Sequence, residues 1–121
     1  MRRYIPLPNS LPMFLAAYPL FWLALVYSFA IRARFALGHW PYIHNPNPKD
    51  LGFTFHLQLI WPCFKAIPLV AMVTVILAVI GRRACVYPRI WPALTFLVFS
   101  IVLVVAIAII DPRHLIQWLT D

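Results

Sequence analysis

The chain has no glutamate, and its only acidic residues are Asp50, Asp111 and Asp121. Paired-carboxylate acid–base chemistry is therefore nearly unavailable. Hydroxyl and thiol nucleophile candidates exist (Ser10, Ser28, Ser100, Cys63), but none has a base within local reach. With three glycines, the chain contains no glycine-rich phosphate loop. Cys63 and Cys85 are the only cysteines, and their spacing is neither CxxC nor part of a metal pattern. On one continuous helix they would stand ~33 Å apart, which excludes a disulfide between them and leaves them as small hydrophobes. Charged residues make up 11% of the chain, too little polar surface to cover a soluble core built from its apolar runs. These absences predict a protein that is not an enzyme.

What is present is length of hydrophobic run. Residues 11–31, 59–80 and 93–110 are almost continuously apolar. A hydrocarbon core about 30 Å thick needs ~20 helical residues at ~1.5 Å each. Within lipid only a helix or a closed barrel satisfies the backbone, and these runs do not alternate. The predicted fold class is all-α integral membrane, with three transmembrane helices plus a short C-terminal amphipathic helix. Residues 1–121 form one membrane unit, since no second domain fits in what remains.

Prolines 6, 8 and 12 predict an extended interfacial arm over residues 1–12. Basic Arg2 and Arg3 precede the first run, but its length and the following Arg32 and Arg34 make it a retained span rather than a cleaved signal. Pro19 falls in its first turns, where a slight kink is expected. Ala24 and Ser28 make a small-xxx-small pair that would admit another helix closely. Residues 32–58 form a proline- and aromatic-rich loop and the start of the second helix. Trp40 and Tyr42 are expected at headgroup level, and Asp50 as the N-cap of a helix beginning at Leu51. Pro62 and Pro68 predict a bend in that helix. Lys65, the one charge in its apolar run, has a stem long enough to snorkel to the loop side. Ala71, Thr74 and Ala78 share a face and form a predicted packing stripe. Trp61 and Trp91 join the interfacial anchors.

The third run ends at Asp111-Pro112, read as a cap and first position of a new helix. Over 112–121, Leu115, Ile116, Trp118 and Leu119 share one arc, and Arg113, His114, Gln117, Thr120 and Asp121 the other. This tail is expected to lie on the membrane with Trp118 as an anchor, or to dock against a partner. Under three turns long, it needs a surface in order to form.

Net charge is +7, and nearly all of it sits beside the ends of the runs. That is the pattern of topogenic and headgroup charge, and no basic stretch reads as a nucleic-acid groove. The head and second loop carry five Lys or Arg and the opposite side four, so the positive-inside rule favours a cytoplasmic N-terminus by one. A snorkelling Lys65 erases that margin. His39, His44, His56 and His114 fall on one side of the membrane but match no metal or haem pattern, and hydrogen bonding in the loop is the expected role. No cofactor and no metal are predicted.

Gly38-His39-Trp40-Pro41 followed by Asn47-Pro48-Lys49-Asp50-Leu51-Gly52, with Asp111-Pro112 and Trp118 near the end, resembles a group of small uncharacterised three-span bacterial membrane proteins. The resemblance implies a bacterial inner-membrane location and carries no activity or functional residues. The expected function is an accessory or scaffolding subunit of a larger membrane complex, with the lipid bilayer and other membrane subunits, or itself, as partners. In that role Ala24, Ser28, Ala71, Thr74 and Ala78 line helix contacts, and Trp40, Tyr42, Trp61, Trp91 and Trp118 set depth. Two alternatives stand beside it. One is a homo-oligomeric small-solute or ion transporter with Lys65 on the path; the other is a membrane immunity or regulatory protein binding one partner through the first loop.

Overall fold

A computed structural model of the chain describes residues 10–43, 46–83, 90–111 and 113–120. The expectations placed on the head before Ser10, on His44, Cys85, Arg89, Pro112 and Asp121 lie outside the described residues. The elements are α1 (Ser10–Ala16), α2 (Tyr18–Leu37), a 3-10 turn (Pro48–Leu51), α3 (Thr54–Arg83), α4 (Trp91–Ile110) and α5 (Leu115–Thr120). No strand occurs among the described residues. α2, α3 and α4 are each long and apolar enough to cross a membrane, with mean hydropathy rising from 1.5 to 2.5 to 3.1. α2 is the least apolar because it contains Arg32 and Arg34.

Those two arginines correct the expected end of the first helix. Charge marks where apolar sequence stops, but it does not stop a helix. α2 continues to Leu37 and ends where Gly38 adopts φ 76° and returns its N–H to the Arg34 carbonyl. Glycine reaches this left-handed conformation without a Cβ clash. At the other end, Ser10–Pro12, expected in an extended arm, are helical. Pro12 falls in the first turn of α1, where the missing N–H has no helical partner to lose. α1 and α2 meet at Ala17, whose N–H bonds back to Met13 and Phe14 while its carbonyl accepts from Leu20 and Phe21. Pro19, at the second position of α2, costs no helical hydrogen bond there.

The second helix also starts later than expected. Asn47, not Asp50, acts as a cap: its Oδ1 accepts from the Lys49 N–H at 3.0 Å, and Pro48 opens the 3-10 turn. Gly52, at φ 72°, closes that turn, so α3 begins at Thr54. The 30 residues of α3 span about 45 Å, longer than a hydrocarbon core, with Pro62 and Pro68 in its interior. α4 opens at Trp91 with Pro92 in its first turn and runs about 30 Å, close to that core thickness.

α2 and α3 are antiparallel, zipped by side chains that step one turn up the first and one turn down the second. The Tyr18 hydroxyl donates to the Cys63 carbonyl and Trp22 Nε1 to the Ile60 carbonyl, each at 3.0 Å. Further along, His56 Nε2 meets the Leu25 carbonyl at 3.0 Å, and Phe29 meets Phe53 edge-on at 6.2 Å. A carbonyl oxygen has two lone pairs, so these bonds add to the helix rather than replace its ladder. α4 lies along α1 and α2, burying Ala93, Leu97, Ser100 and Val104 at three- and four-residue spacing. The buried hydroxyls of Thr74 and Ser100 donate to the carbonyls four residues earlier, Val70 and Phe96, both at 2.7 Å, so neither donor is orphaned.

Candidate functional site

The most constructed region lies where α4 ends. There α2, the 3-10 turn and the first turns of α3 need a cover, and α5 provides it. Leu115, Trp118 and Leu119 are buried, and Trp118 is 0% exposed. Its indole packs 5.7 Å from the Phe29 ring and donates through Nε1 to the Pro46 carbonyl at 2.7 Å. The tail was expected to lie on the membrane or to dock against a partner; here the surface α5 packs on is its own bundle. Packing on Phe29 satisfies the apolar arc, and Pro46 satisfies the one polar atom, leaving the indole no reason to seek headgroups.

Asp111 builds the corner. It ends α4 in a left-handed conformation, φ 35°, with its N–H on the Ile107 carbonyl at 2.7 Å. Its carboxylate then accepts from the N–H groups of Ile116 at 3.1 Å and Gln117 at 3.0 Å. α5, Leu115–Thr120, is capped from four residues upstream through the turn at His114, φ 53°. The side chain is a short acceptor that tolerates φ > 0, which is what both jobs require.

The His56 and His39 rings serve hydrogen bonds. His56 Nε2 must donate to the Leu25 carbonyl, because that oxygen can only accept; the same nitrogen lies 3.1 Å from Ser28 Oγ, which donates to Leu25 at 2.8 Å. His39 Nδ1 sits 2.9 Å from the Trp40 carbonyl and its ring stacks near Tyr42, centroids 6.0 Å apart. Among the described residues no group of three His, Cys, Asp or Glu is placed to hold a metal.

Trp40 carries an arrangement that sequence reasoning missed. The guanidinium of Arg34, from the last turn of α2, lies 4.6 Å from its ring centroid, and that of Arg113, from the turn before α5, lies 4.7 Å away. Arg32 stacks similarly on Phe53 at 4.0 Å. An Arg–Trp pair six residues apart across a helix end gives a local signal, but nothing local connects Trp40 to Arg113.

The remaining candidates disperse. Tyr42 is exposed and Trp61 half-buried, the latter edge-on to Phe64 at 6.3 Å. Trp91 is exposed at the opposite end, with the Arg82 guanidinium 5.5 Å from its ring. Thr74 and Ala78 are buried inside the chain and Ala71 partly so, whereas Ala24 and Ser28 lie on the exposed face of α2. Lys65 is exposed on α3, one turn from Trp61. Between α2, α3, α4 and α5 runs an apolar cavity of about 240 Å³, walled by Trp22, Val26, Ile60, Phe64, Ala108 and Leu119 among others. Its lining has no charged group to orient a reacting substrate. No family model, curated protein or solved structure matches the chain.

Proposed function

We propose that this protein is a non-enzymatic accessory or scaffolding subunit that packs against other helices in a bacterial inner membrane, with its N-terminus on the cytoplasmic side. One observation carries the reading: the chain leaves most of α3 and α4 unpacked. Within their most apolar windows 11% of α3 and 22% of α4 is buried, against 33% of α2. Met72, Leu69, Val98, Phe99 and Val102 all face outward. Such faces meet either lipid tails or further helices, and specific packing is what drives helix association in a bilayer. The covered end of the bundle supports the same role, because a braced loop region is a firm platform for a neighbouring subunit.

Native mass spectrometry on the tagged protein, extracted from its own membrane in mild detergent, tests this. A fixed heteromeric mass is expected. A homo-oligomer or a monomer without companions would overturn the accessory role. The homo-oligomer would favour a second reading, a small-solute path between copies, for which the outward setting of Lys65 on α3 is the supporting observation.

A further inference from the structure

We propose that Arg34 and Arg113, stacked on Trp40, form a clasp for the phosphate of an anionic phospholipid headgroup. The inference rests on the chain being membrane-embedded but not on its having protein partners. Its starting point is a concentration of like charge with no carboxylate partner among the described residues. Both guanidiniums are exposed and lie under 5 Å from one indole centroid. Neither has a carboxylate partner among the described residues. Asp111, close to Arg113 in sequence, has both oxygens engaged by the α5 backbone. Arg32 and Lys49 add further exposed positive charge near the same end.

A guanidinium held over an indole ring is attracted to the π face without using up its N–H donors, which stay available to an anion. Two arginine side chains already held beside one ring have less freedom to lose on meeting an anion, which lowers the ordering cost of a phosphate contact. The depth is also right. Arg113 follows by three residues the end of α4, whose length matches the hydrocarbon core, so the clasp sits where phosphates lie and where tryptophan is enriched. A phosphate supplied from the membrane plane therefore fits better than one arriving from bulk water.

The test uses the full chain in detergent micelles containing equal phosphatidylglycerol and phosphatidylcholine, with retained lipid counted by native mass spectrometry. Wild type is expected to keep phosphatidylglycerol in preference to phosphatidylcholine. The R34A/R113A variant should lower that retention about thirty-fold, while R82A/R83A, which removes the same charge at the opposite end, should leave it unchanged. R34K/R113K keeps the charge and the fold but loses the planar fork, and should lose most of the preference; it also serves if the alanine pair does not fold. Equal retention of the two lipids, or an equal loss in R82A/R83A, would overturn the clasp. So would displacement of the lipid by millimolar inorganic phosphate, or loss of a protein companion rather than a lipid from R34A/R113A.

Discussion

Trp118 performs two jobs that one substitution can separate. Phenylalanine in its place keeps an aromatic ring against Phe29 but strands the Pro46 carbonyl, which now accepts the indole N–H at 2.7 Å. A buried polar group left without its partner costs about 1–3 kcal/mol. Trp118→Phe is expected to lower unfolding stability by that amount in a detergent denaturation series, with unchanged helix content by circular dichroism. An unchanged midpoint would show that water replaces the indole there. The apolar arc Leu115, Ile116, Trp118 and Leu119 was legible from periodicity, and so was the need for a surface. Which surface was not, because the acceptor on Pro46 and the ring of Phe29 come from distant segments. The same reason hid the second arginine on Trp40, while the residue type alone made Trp40 and Trp118 look alike.

At the scale of elements, helix ends were the least legible feature, for a definite cause. The apolar run stops at Ile31, but the backbone continues the helix to Leu37 and ends it at Gly38, where the chain turns left-handed. Asp50 was the expected cap, but Pro48 and Gly52 frame a separate 3-10 turn whose cap is Asn47. α5 shows how far a short element depends on its cap. A six-residue helix is marginal alone, and the two N–H groups held by Asp111 lie in its first turn. Asp111→Ala should cost about 0.5–2 kcal/mol locally. Hydrogen exchange at amides 116–120 should accelerate roughly ten-fold while the middle of α4 keeps its protection. Uniform acceleration through α4 would instead make Asp111 a determinant of the whole bundle.

For the whole molecule, the three long apolar helices were readable because their length and hydropathy are set by the bilayer rather than by any neighbour. Their mutual packing was not readable, since apolar residues surround α3 and α4 on every side and no periodicity selects a face. Of the stripe Ala71, Thr74 and Ala78, Thr74 and Ala78 are buried inside the chain and Ala71 partly so, whereas Val75 beside it, 47% exposed, faces outward. Ala78→Leu should therefore overpack the bundle and cost about 1–3 kcal/mol of stability. Val75→Trp should leave stability within about 0.5 kcal/mol, as outward substitutions do, yet reduce the mass of the native assembly if α3 meets a partner there. Paired melting curves and native mass spectra check both. A Val75→Trp protein with full stability and an intact assembly would assign that face to lipid.

The bond between Trp118 and Pro46 joins positions 72 residues apart, and this gives the fold an order in time. During synthesis the spans can enter the bilayer as they emerge, each satisfied by its own backbone. Phe29 and the Pro46 carbonyl, however, must wait for α5 before they gain their cover. The loop-side end consequently matures only once α5 has emerged, and every nascent chain passes through a stage in which its helices are already inserted while that end still stands open.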